Sequence, residues 1–251
     1  MKVALPARAK LNLDLRVIKR RSDGFHEIRT HMQAIALHDL LEASPAKVTT
    51  FAVEGLPVPA GENNVVLKAL AALEAAAGRA LPTQFLLRKR IPPGAGLGGA
   101  SSDAATALRA LKAIHRLDVN LAEIAHAIGA DVRFFLIGGS AMAEGTGEHL
   151  TTLPAESAWY AIAWPGIELS TASVYGAWDE TKGEPPNELR RAAERADPRV
   201  RDFAERLGDE WQMTGSGSAF FVKCASQEEG QRAIQSLDSW TAVTHSVGAW
   251  A

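Results

Sequence analysis

The stretch PPGAGLGGASSD at 92–103 constrains the fold of this 251-residue chain more than any other part of its sequence. Four glycines stand within six consecutive positions, and each glycine costs conformational entropy when a chain folds. An ordinary connection between a strand and a helix has no need of so many glycines. Their density therefore favours a loop whose backbone passes close to another group, such as a bound anion.

Two common nucleotide-binding motifs resemble this loop, but neither fits it. Gly94, Gly96 and Gly99 have the Gly-x-Gly-x-x-Gly spacing of a dinucleotide-binding fold. That fold requires a following strand that ends in an acidic residue about 20 positions later, whereas here a second helix is predicted after the first. A P-loop requires a lysine where this chain has Ala100. A simple strand-to-helix turn remains as a third alternative.

A cradle for phosphate groups fits the loop best. Small residues let backbone N–H groups approach an anion, and the positive end of the next helix points at the same place. We predict this helix over 103–117, with Ser101 or Ser102 as its N-cap and Asp103 as a first-turn acid that favours the helix dipole. The two serine hydroxyls can also contact phosphate or a metal. The basic run 88–90 supplies positive charge nearby.

The remaining sequence mixes strands and helices without a regular strand–helix–strand repeat, which favours an α+β fold. Pro154 begins a second half, so we predict domains at 1–153 and 154–251. Predicted helices cover 65–77, 103–117, 121–128, 171–178, 187–206 (divided at Pro198) and 226–237. Predicted extended segments cover 11–17, 28–37, 47–53, 84–91, 159–164 and 241–247, with a hairpin over 140–153 and a glycine turn leading into a strand over 213–223.

Composition limits the possible partners. The formal net charge of −2 gives no general attraction to nucleic acid or to an anionic membrane. No stretch approaches the roughly 18 apolar residues of a membrane span, and the N-terminus lacks the apolar stretch of a signal peptide. Cys224 is the only cysteine, which excludes an intrachain disulfide, argues against a zinc–thiolate site and suits the cytoplasm. The sequence assigns no residue as a metal ligand.

Two charged residues are candidates for phosphoryl-transfer chemistry. Asp131, in IGADVRFF, lies between a predicted helix and an apolar segment, and Lys10 enters the first strand. A carboxylate can accept the proton of an attacking hydroxyl group. A nearby lysine would keep that carboxylate ionised and neutralise charge on the transferred group. The sequence alone does not bring the two together, and each could instead be a surface charge.

Three aromatic rings and a second small-residue turn are weaker candidates. Phe25 and His26 follow the Ser-Asp-Gly turn at 22–24 and are expected to be exposed, where they could stack on and read a planar base. Tyr175 could form the other side of that slot, although a core tyrosine explains it as well. The turn TGSGS at 214–218 is more typical of a tight turn than of a binding site.

Together these motifs resemble the GHMP kinase superfamily, which includes galactokinase, homoserine kinase, mevalonate kinase and phosphomevalonate kinase. The superfamily signature has its counterpart in PGAGLGGASS from position 93. A more specific resemblance is to the 4-diphosphocytidyl-2-C-methyl-D-erythritol kinases of the non-mevalonate isoprenoid pathway, and it covers nearly the whole chain. It is carried by ARAKLNLDLRV, RRSDGFHEIRT, PPGAGLGGASSDAA, GADVRFFLIGG and MTGSGSAFFV, in that order.

The resemblance implies a ribosomal-protein-S5-like N-terminal domain, a ferredoxin-like C-terminal α/β sandwich and an active site between them. It implies ATP and Mg²⁺ as cosubstrate and metal, and a monomer or weak homodimer. The implied catalytic pair is Lys10 and Asp131, with Asp131 as base. The implied ATP contacts are Asn64, Lys89, Pro92, Pro93, Gly94, Ala95, Gly96, Leu97, Gly98, Gly99, Ala100, Ser101 and Ser102, and the implied substrate contacts are Asn12, Phe25, His26, Thr171 and Tyr175.

The chain departs from the family pattern at Phe25, which is usually tyrosine, at Arg133, which is usually proline, and at Asp14, which is usually apolar or aromatic. None of these removes a catalytic candidate. Two other functions stay open at this point. One is a sibling kinase acting on homoserine or a mevalonate derivative, and the other is a nucleotide-binding module without catalysis.

Overall fold

The computed structural model describes residues 1–154 and 156–250. The strands are β1 (Val3–Arg20), β2 (His26–Pro45), β3 (Thr50–Gly55), β4 (Thr83–Lys89), β5 (Ser140–Gly145), β6 (His149–Leu153), β7 (Trp159–Trp164), β8 (Gln212–Met213), β9 (Phe220–Cys224) and β10 (Trp240–His245). The helices are α1 (Val65–Ala77), α2 (Gly99–His115), α3 (Leu121–Ile128), α4 (Val132–Ile137), α5 (Thr171–Thr181), α6 (Arg190–Ala196), α7 (Pro198–Leu207) and α8 (Gln227–Ile234).

The first sheet is built around the long strand β2. Strand β1 pairs with β2 along one edge, while β4 and β5 share the other edge. Strand β3 runs parallel to β4, and β6 pairs antiparallel with β5. Helices α1 to α4 belong to the same core, where Phe85, Leu108 and Phe134 are fully buried. This packing places the N-terminal end of α2 near the edge of the sheet.

The second sheet has the strand order β10-β7-β9-β8, with antiparallel pairing throughout. Its core contains Val174 from α5 and Phe203 from α7. The far part of the β1–β2 hairpin enters this same core through Leu15, Val17 and Ile28. One hairpin therefore contributes apolar side chains to both cores.

The two sheets are joined by a third buried cluster, in which Leu11 and Leu97 meet Ile162 and Phe221. The segment after β10 returns to the first half, where the Trp250 indole N–H donates to the Phe135 carbonyl over 2.7 Å. The predicted boundary near 153 falls between strands of the two sheets. It stays a prediction, because this segment and the β1–β2 hairpin both cross from one half to the other.

Most predicted elements are confirmed. Helices α1 and α3 have the predicted bounds, the hairpin over 140–153 forms β5 and β6, and Pro198 separates α6 from α7. The extended segment predicted at 47–53 forms a strand only from Thr50. The apolar segment at 132–137, which the sequence left unassigned, is helix α4. Among the described residues, no helix combines the length and the apolar character needed to span a membrane.

The predicted start of α2 is wrong. The helix begins at Gly99, and its N-cap is Gly98 rather than Ser101 or Ser102. Gly98 has a φ of 73°, in the left-handed region that glycine adopts at little cost, so the helix can start earlier. Contrary to the prediction, Asp103 therefore lies beyond the first turn, and it is buried, 2% exposed.

Candidate active site

A cleft of about 490 Å³ opens where the two sheets meet. Its walls come from β1, the glycine loop, the turn before α4, the start of α5 and the small-residue turn before β9. Most of the predicted site residues line it, whereas Ser102, Phe25 and His26 lie outside its lining. The predicted residues that line it are Lys10, Asn12, Asn64, Lys89, residues 92–101, Asp131, Thr171 and Tyr175.

The glycine loop directs its carbonyl groups toward the protein. These carbonyls accept hydrogen bonds from three backbone N–H groups of surrounding segments, and each of those segments comes from a different part of the chain. The loop is therefore held on three sides without any bond to its own N–H groups. The three bonds are Leu169 to Gly94 over 3.1 Å, Ala219 to Ala95 over 3.0 Å and Lys10 to Leu97 over 3.0 Å.

The N–H groups of the loop are left for a ligand. Within residues 1–154 and 156–250, the N–H groups of 94–101 donate to no other protein group. The first turn of α2 begins at Gly99 and adds the positive end of the helix dipole. A concave set of free N–H donors at a helix N-terminus is suited to binding phosphate.

Close packing explains why two of the loop positions are glycine. A Cβ atom on Gly96, at a φ of 76°, would lie 2.2 Å from the carbonyl oxygen of Thr214. A Cβ atom on Gly98 would lie 2.7 Å from the ring of Phe135. The loop is therefore wedged between α4 and the second small-residue turn, and a larger residue would displace it.

Lys10 and Asp131 meet in the cleft. The Lys10 Nζ atom lies 3.9 Å from Asp131 Oδ2, which is too long for a direct hydrogen bond. The Lys10 ammonium group therefore makes no direct hydrogen bond to the carboxylate and can still donate to a third group. Lys10 is 4% exposed, and burial lowers its pKa, an effect that the charge of Asp131 opposes.

Asn12 orients the lysine. Alternate residues of a strand share a face, so Asn12 lies beside Lys10 on β1, and its Oδ1 accepts a hydrogen bond from Lys10 Nζ. Its Nδ2 donates to the Thr30 hydroxyl over 2.7 Å, and its backbone N–H donates to the Thr214 hydroxyl over 2.9 Å. The side chain predicted as a substrate contact is thus also the support of the ammonium group.

Asp131 is accessible at the entrance of α4. It occupies the N-cap position, but its side chain makes no capping hydrogen bond, and 29% of that side chain is exposed. A Cβ atom on Gly147 would lie 3.8 Å from Asp131 Oδ1, which places the β5–β6 turn against the carboxylate. The carboxylate is therefore free to accept a proton from a bound alcohol.

The aromatic side of the site differs from the prediction. His26 is buried, 8% exposed, and its ring stacks on Tyr175 with 4.9 Å between the ring centroids. The expected slot between them is filled by their own contact, and only Phe25 is exposed, at 65%. The reason is that α5 covers His26, whose Nε2 lies 2.8 Å from Asp179 Oδ1. This hydrogen bond lowers the pKa of Asp179.

Lys89 and Asn64 have partners of their own within the protein. Lys89 Nζ donates to Asp39 and, over 2.8 Å, to Asp103 Oδ2. Burial alone would lower the pKa of Lys89, but the charges of Asp103 and Asp39 raise it. Burial raises the pKa of Asp103 to about 8, against the lowering effect of Lys89. Asn64 caps α1, with its Oδ1 accepting from the Val66 N–H over 2.9 Å.

Two departures from the family pattern have structural partners. Arg133 donates to the Glu148 carbonyl over 3.2 Å and so ties α4 to the β5–β6 turn. Asp14 Oδ1 accepts the His31 N–H over 2.8 Å, next to a register shift between β1 and β2. Both residues therefore support the site from outside the cleft.

The turn at 214–218, which the sequence made only a weak candidate, packs on the loop. Three other parts of the site were not assigned from the sequence. Thr146 lines the cleft beside Asp131, within the AMAEGTGE stretch. Asp39 and Asp179 gave no signal, because each acts through a partner that is distant in sequence.

Comparison with known proteins agrees with this geometry. The GHMP kinases N terminal domain family matches residues 64–139. A Halorhodospira halophila protein named 4-diphosphocytidyl-2-C-methyl-D-erythritol kinase is 38% identical over 259 residues, covering 92% of this chain and 88% of the relative. A Moorella thermoacetica protein of the same name is 40% identical over 192 residues, covering 74% of this chain and 67% of the relative.

Solved structures give the same grouping. A crystal structure of a 4-(cytidine 5'-diphospho)-2C-methyl-D-erythritol kinase superposes with a TM-score of 0.86 and 34% identity, covering 98% of this chain and all (100%) of the other. The Methanococcus jannaschii mevalonate kinase superposes with a TM-score of 0.67 at 11% identity, covering 99% of this chain and 98% of the other. The second likeness concerns the fold alone.

Proposed function

Because the chain belongs to the family of 4-diphosphocytidyl-2-C-methyl-D-erythritol kinases, within the GHMP kinases, we propose that its cleft transfers the γ-phosphoryl group of ATP to the 2-hydroxyl group of 4-diphosphocytidyl-2-C-methyl-D-erythritol. It is a small-molecule kinase with a two-domain α+β fold, and membership in a kinase family implies the use of ATP. The assignment of roles to individual residues is our proposal.

One observation carries this proposal: residues 94–101, whose N–H groups have no partner among the described residues, line the same cleft as the Lys10–Asp131 pair. A phosphate cradle next to an acid–base pair is the arrangement that phosphoryl transfer needs, since positioning and charge stabilisation supply most of the catalysis. A binding module without catalysis has no need of the pair.

We assign the steps of the reaction to these residues. The loop N–H groups hold the phosphates of ATP. Asp131 accepts the proton of the substrate hydroxyl as its oxygen forms a bond to the γ-phosphorus, and the bond from that phosphorus to the oxygen bridging it to the β-phosphate breaks to release ADP. Lys10 donates hydrogen bonds to the oxygens of the transferred group and neutralises their charge.

A magnesium ion suits this cleft. Mg²⁺ is usually held by one or two oxygen side chains together with substrate phosphates and water. The hydroxyl of Ser101, at the first turn of α2, is the donor beside the loop that would complete such a set with ATP. Among the described residues, no group of three or more His, Cys, Asp or Glu side chains is placed to hold a metal by itself. When bound, Mg²⁺ would neutralise phosphate charge.

The other end of the substrate lies toward β2 and α5. We assign His26, held by Asp179, to hydrogen bonding with the cytosine base through its second ring nitrogen. The exposed Phe25 ring supplies a stacking face, and Thr171 contacts the diphosphate or the erythritol moiety. These assignments explain why a cytidyl group, rather than the small acid of homoserine or mevalonate, is the substrate.

The test is an ADP-release assay coupled to a colorimetric readout. We expect turnover with 4-diphosphocytidyl-2-C-methyl-D-erythritol and none above background with homoserine or mevalonate at matched concentration. Equal turnover with homoserine or mevalonate would overturn the substrate assignment. Nucleotide binding without ADP release with any of the three would instead support a non-catalytic module.

A further inference from the structure

A buried cluster of three ionisable side chains lies next to the glycine loop, and the reaction described above does not use it. The cluster consists of Asp39 from β2, Lys89 at the end of β4 and Asp103 from α2. Their exposed fractions are 0%, 4% and 2%. The single ammonium group of Lys89 donates hydrogen bonds to both carboxylates.

The cluster connects both ends of the loop. The loop starts directly after Lys89 and ends at Gly99, where α2 begins. A Cβ atom on Gly99 would lie 3.3 Å from Lys89 Nζ, so the ammonium group lies against the first residue of the helix. Asp103, in the next turn of α2, holds the same ammonium group over 2.8 Å. Lys89 therefore bridges the end of the strand to the start of the helix.

Asp39 fixes the direction in which the chain enters the loop. While one of its oxygens binds Lys89, its Oδ1 accepts the N–H of Ile91 over 2.8 Å and the N–H of Arg90. A fully buried carboxylate that accepts two consecutive backbone N–H groups holds that backbone in one orientation. The prolines at 92 and 93 follow directly, and their rings restrict the backbone φ angle at the entrance of the loop.

Asp103 is the least satisfied member. Among the described residues its Oδ1 has no hydrogen-bond partner, although it is buried, and the residue lines the cleft. Burying ionisable groups is costly even when they are paired, and here two carboxyl groups share one cation, so burial raises the pKa of Asp103. A fold that needed only stability at this place is better served by apolar residues.

We propose that Asp39, Lys89 and Asp103 form a positioning triad that holds the glycine loop in its phosphate-binding conformation and thereby sets the affinity for ATP. This inference rests on the proposed function in one respect, that the loop binds the phosphates of ATP. A loop rich in glycine loses much conformational freedom when it closes on a ligand. Fixing both of its ends in advance reduces that cost.

The test replaces Asp103 in two ways. Asp103→Leu removes the oxygen that accepts from Lys89, whereas Asp103→Asn keeps an acceptor at the same place. We expect Asp103→Leu to raise the KM for ATP and the Kd for a non-hydrolysable ATP analogue with Mg²⁺ by about tenfold or more. The KM for the cytidyl substrate should stay within about twofold. Asp103→Asn should restore both ATP values to within about threefold of the unchanged protein.

A second variant keeps the inference testable if Asp103→Leu does not fold. Asp39→Asn retains the oxygen that accepts from Arg90 and Ile91 but loses the carboxylate oxygen that binds Lys89, so it should also weaken ATP binding selectively. Glu54→Gln is the control, since Glu54 is an exposed carboxylate paired with Arg88 on the neighbouring strands. Melting temperature and far-ultraviolet circular dichroism report folding for each variant.

The outcomes separate the two proposals. If folded Asp103→Leu binds the ATP analogue as tightly as the unchanged protein, or if Asp103→Asn is as weak as Asp103→Leu, the positioning triad is wrong. If both KM values rise equally, the cluster acts only on stability and the inference is again wrong. If the unchanged protein does not bind the analogue, the ATP site itself is wrong.

Discussion

The two sides of the cleft are built on different principles. The phosphate side, where we propose that ATP binds, uses backbone: the N–H groups of 94–101 have no protein partner among the described residues, and its supports are three carbonyl hydrogen bonds and the buried cluster of Asp39, Lys89 and Asp103. The acceptor side uses side chains from separate elements, with His26 on β2 and both Tyr175 and Asp179 on α5. In the function proposed above, the backbone donors hold the phosphates of ATP, whereas the side chains contact the cytidyl substrate.

The largest expected effect falls where the two sides meet. Asp131→Asn should lower kcat by about 10³-fold or more, because a general base contributes roughly 10²–10⁴-fold. Binding of an ATP analogue should change by less than about threefold, since the loop N–H groups are untouched. Rapid-quench kinetics and titration calorimetry measure the two quantities. An Asp131→Asn protein with normal turnover would falsify the assignment of the base.

The second-largest effect tests the phosphate side alone. Gly96→Ala should raise the KM for ATP by about 100-fold, because the new Cβ adds a collision with Thr214 O to the roughly 1–2 kcal/mol cost of a left-handed φ. Gly166→Ala is a matched control: Gly166 has the same φ of 76°, but a Cβ atom there would meet nothing within 4 Å. Equal ATP kinetics for both variants would mean that close packing of the loop is unimportant.

The third prediction concerns the pH dependence of stability on the phosphate side. The pKa of Asp103 is raised by burial from 3.8 to about 8, so the folded protein keeps this proton while the unfolded chain loses it above about pH 4. Between about pH 4 and 8 this group alone lowers the free energy of unfolding as pH rises, by up to about 1.4 kcal/mol per pH unit. Above about pH 8 its contribution stays constant.

Asp103→Asn removes that proton exchange. The free energy of unfolding of the variant, relative to the unchanged protein, should therefore increase from about pH 5 to about pH 8. Urea titrations across this range measure the difference, with Glu54→Gln as the exposed carboxylate control. A difference that is flat with pH would show that Asp103 is ionised in the folded protein at neutral pH.

The smallest effect tests the acceptor side of the cleft. His26→Ala should raise the KM for the cytidyl substrate by about tenfold, since removing one partner of a buried hydrogen bond costs about 1–3 kcal/mol, and should leave the KM for ATP within about twofold. Phe25→Ala should have a weaker effect of the same kind, because the ring is 65% exposed. Initial-rate kinetics with each substrate varied separately measure both KM values. A shift in the KM for ATP alone would contradict the division between the two sides.

The same division explains what the sequence could predict. The phosphate loop and helices α1 and α3 are local patterns, and their glycines, apolar periods and stop signals are readable in one stretch. The start of α2 was missed because four glycines stand at 94–99, and residue type alone does not tell which of them caps the helix. The burial of His26 depends on α5, and the partners of Lys89 depend on β2 and α2. Long-range pairing of this kind carries no local signal.

The path of the β1–β2 hairpin has a consequence for motion and folding. Its two paired strands run through the joint between the sheets and contribute Leu15, Val17 and Ile28 to the second core, while the segment through Trp250 returns in the opposite direction. A rotation of one half against the other would have to bend the hydrogen-bonded β1–β2 hairpin. We therefore expect the distance between the cleft walls to stay the same when a ligand binds, and only surface loops to move over it. Neither half can complete its core without the other, which favours a single cooperative unfolding transition. Lys10 lies on that hairpin, so the ammonium group is carried by an element anchored in both halves.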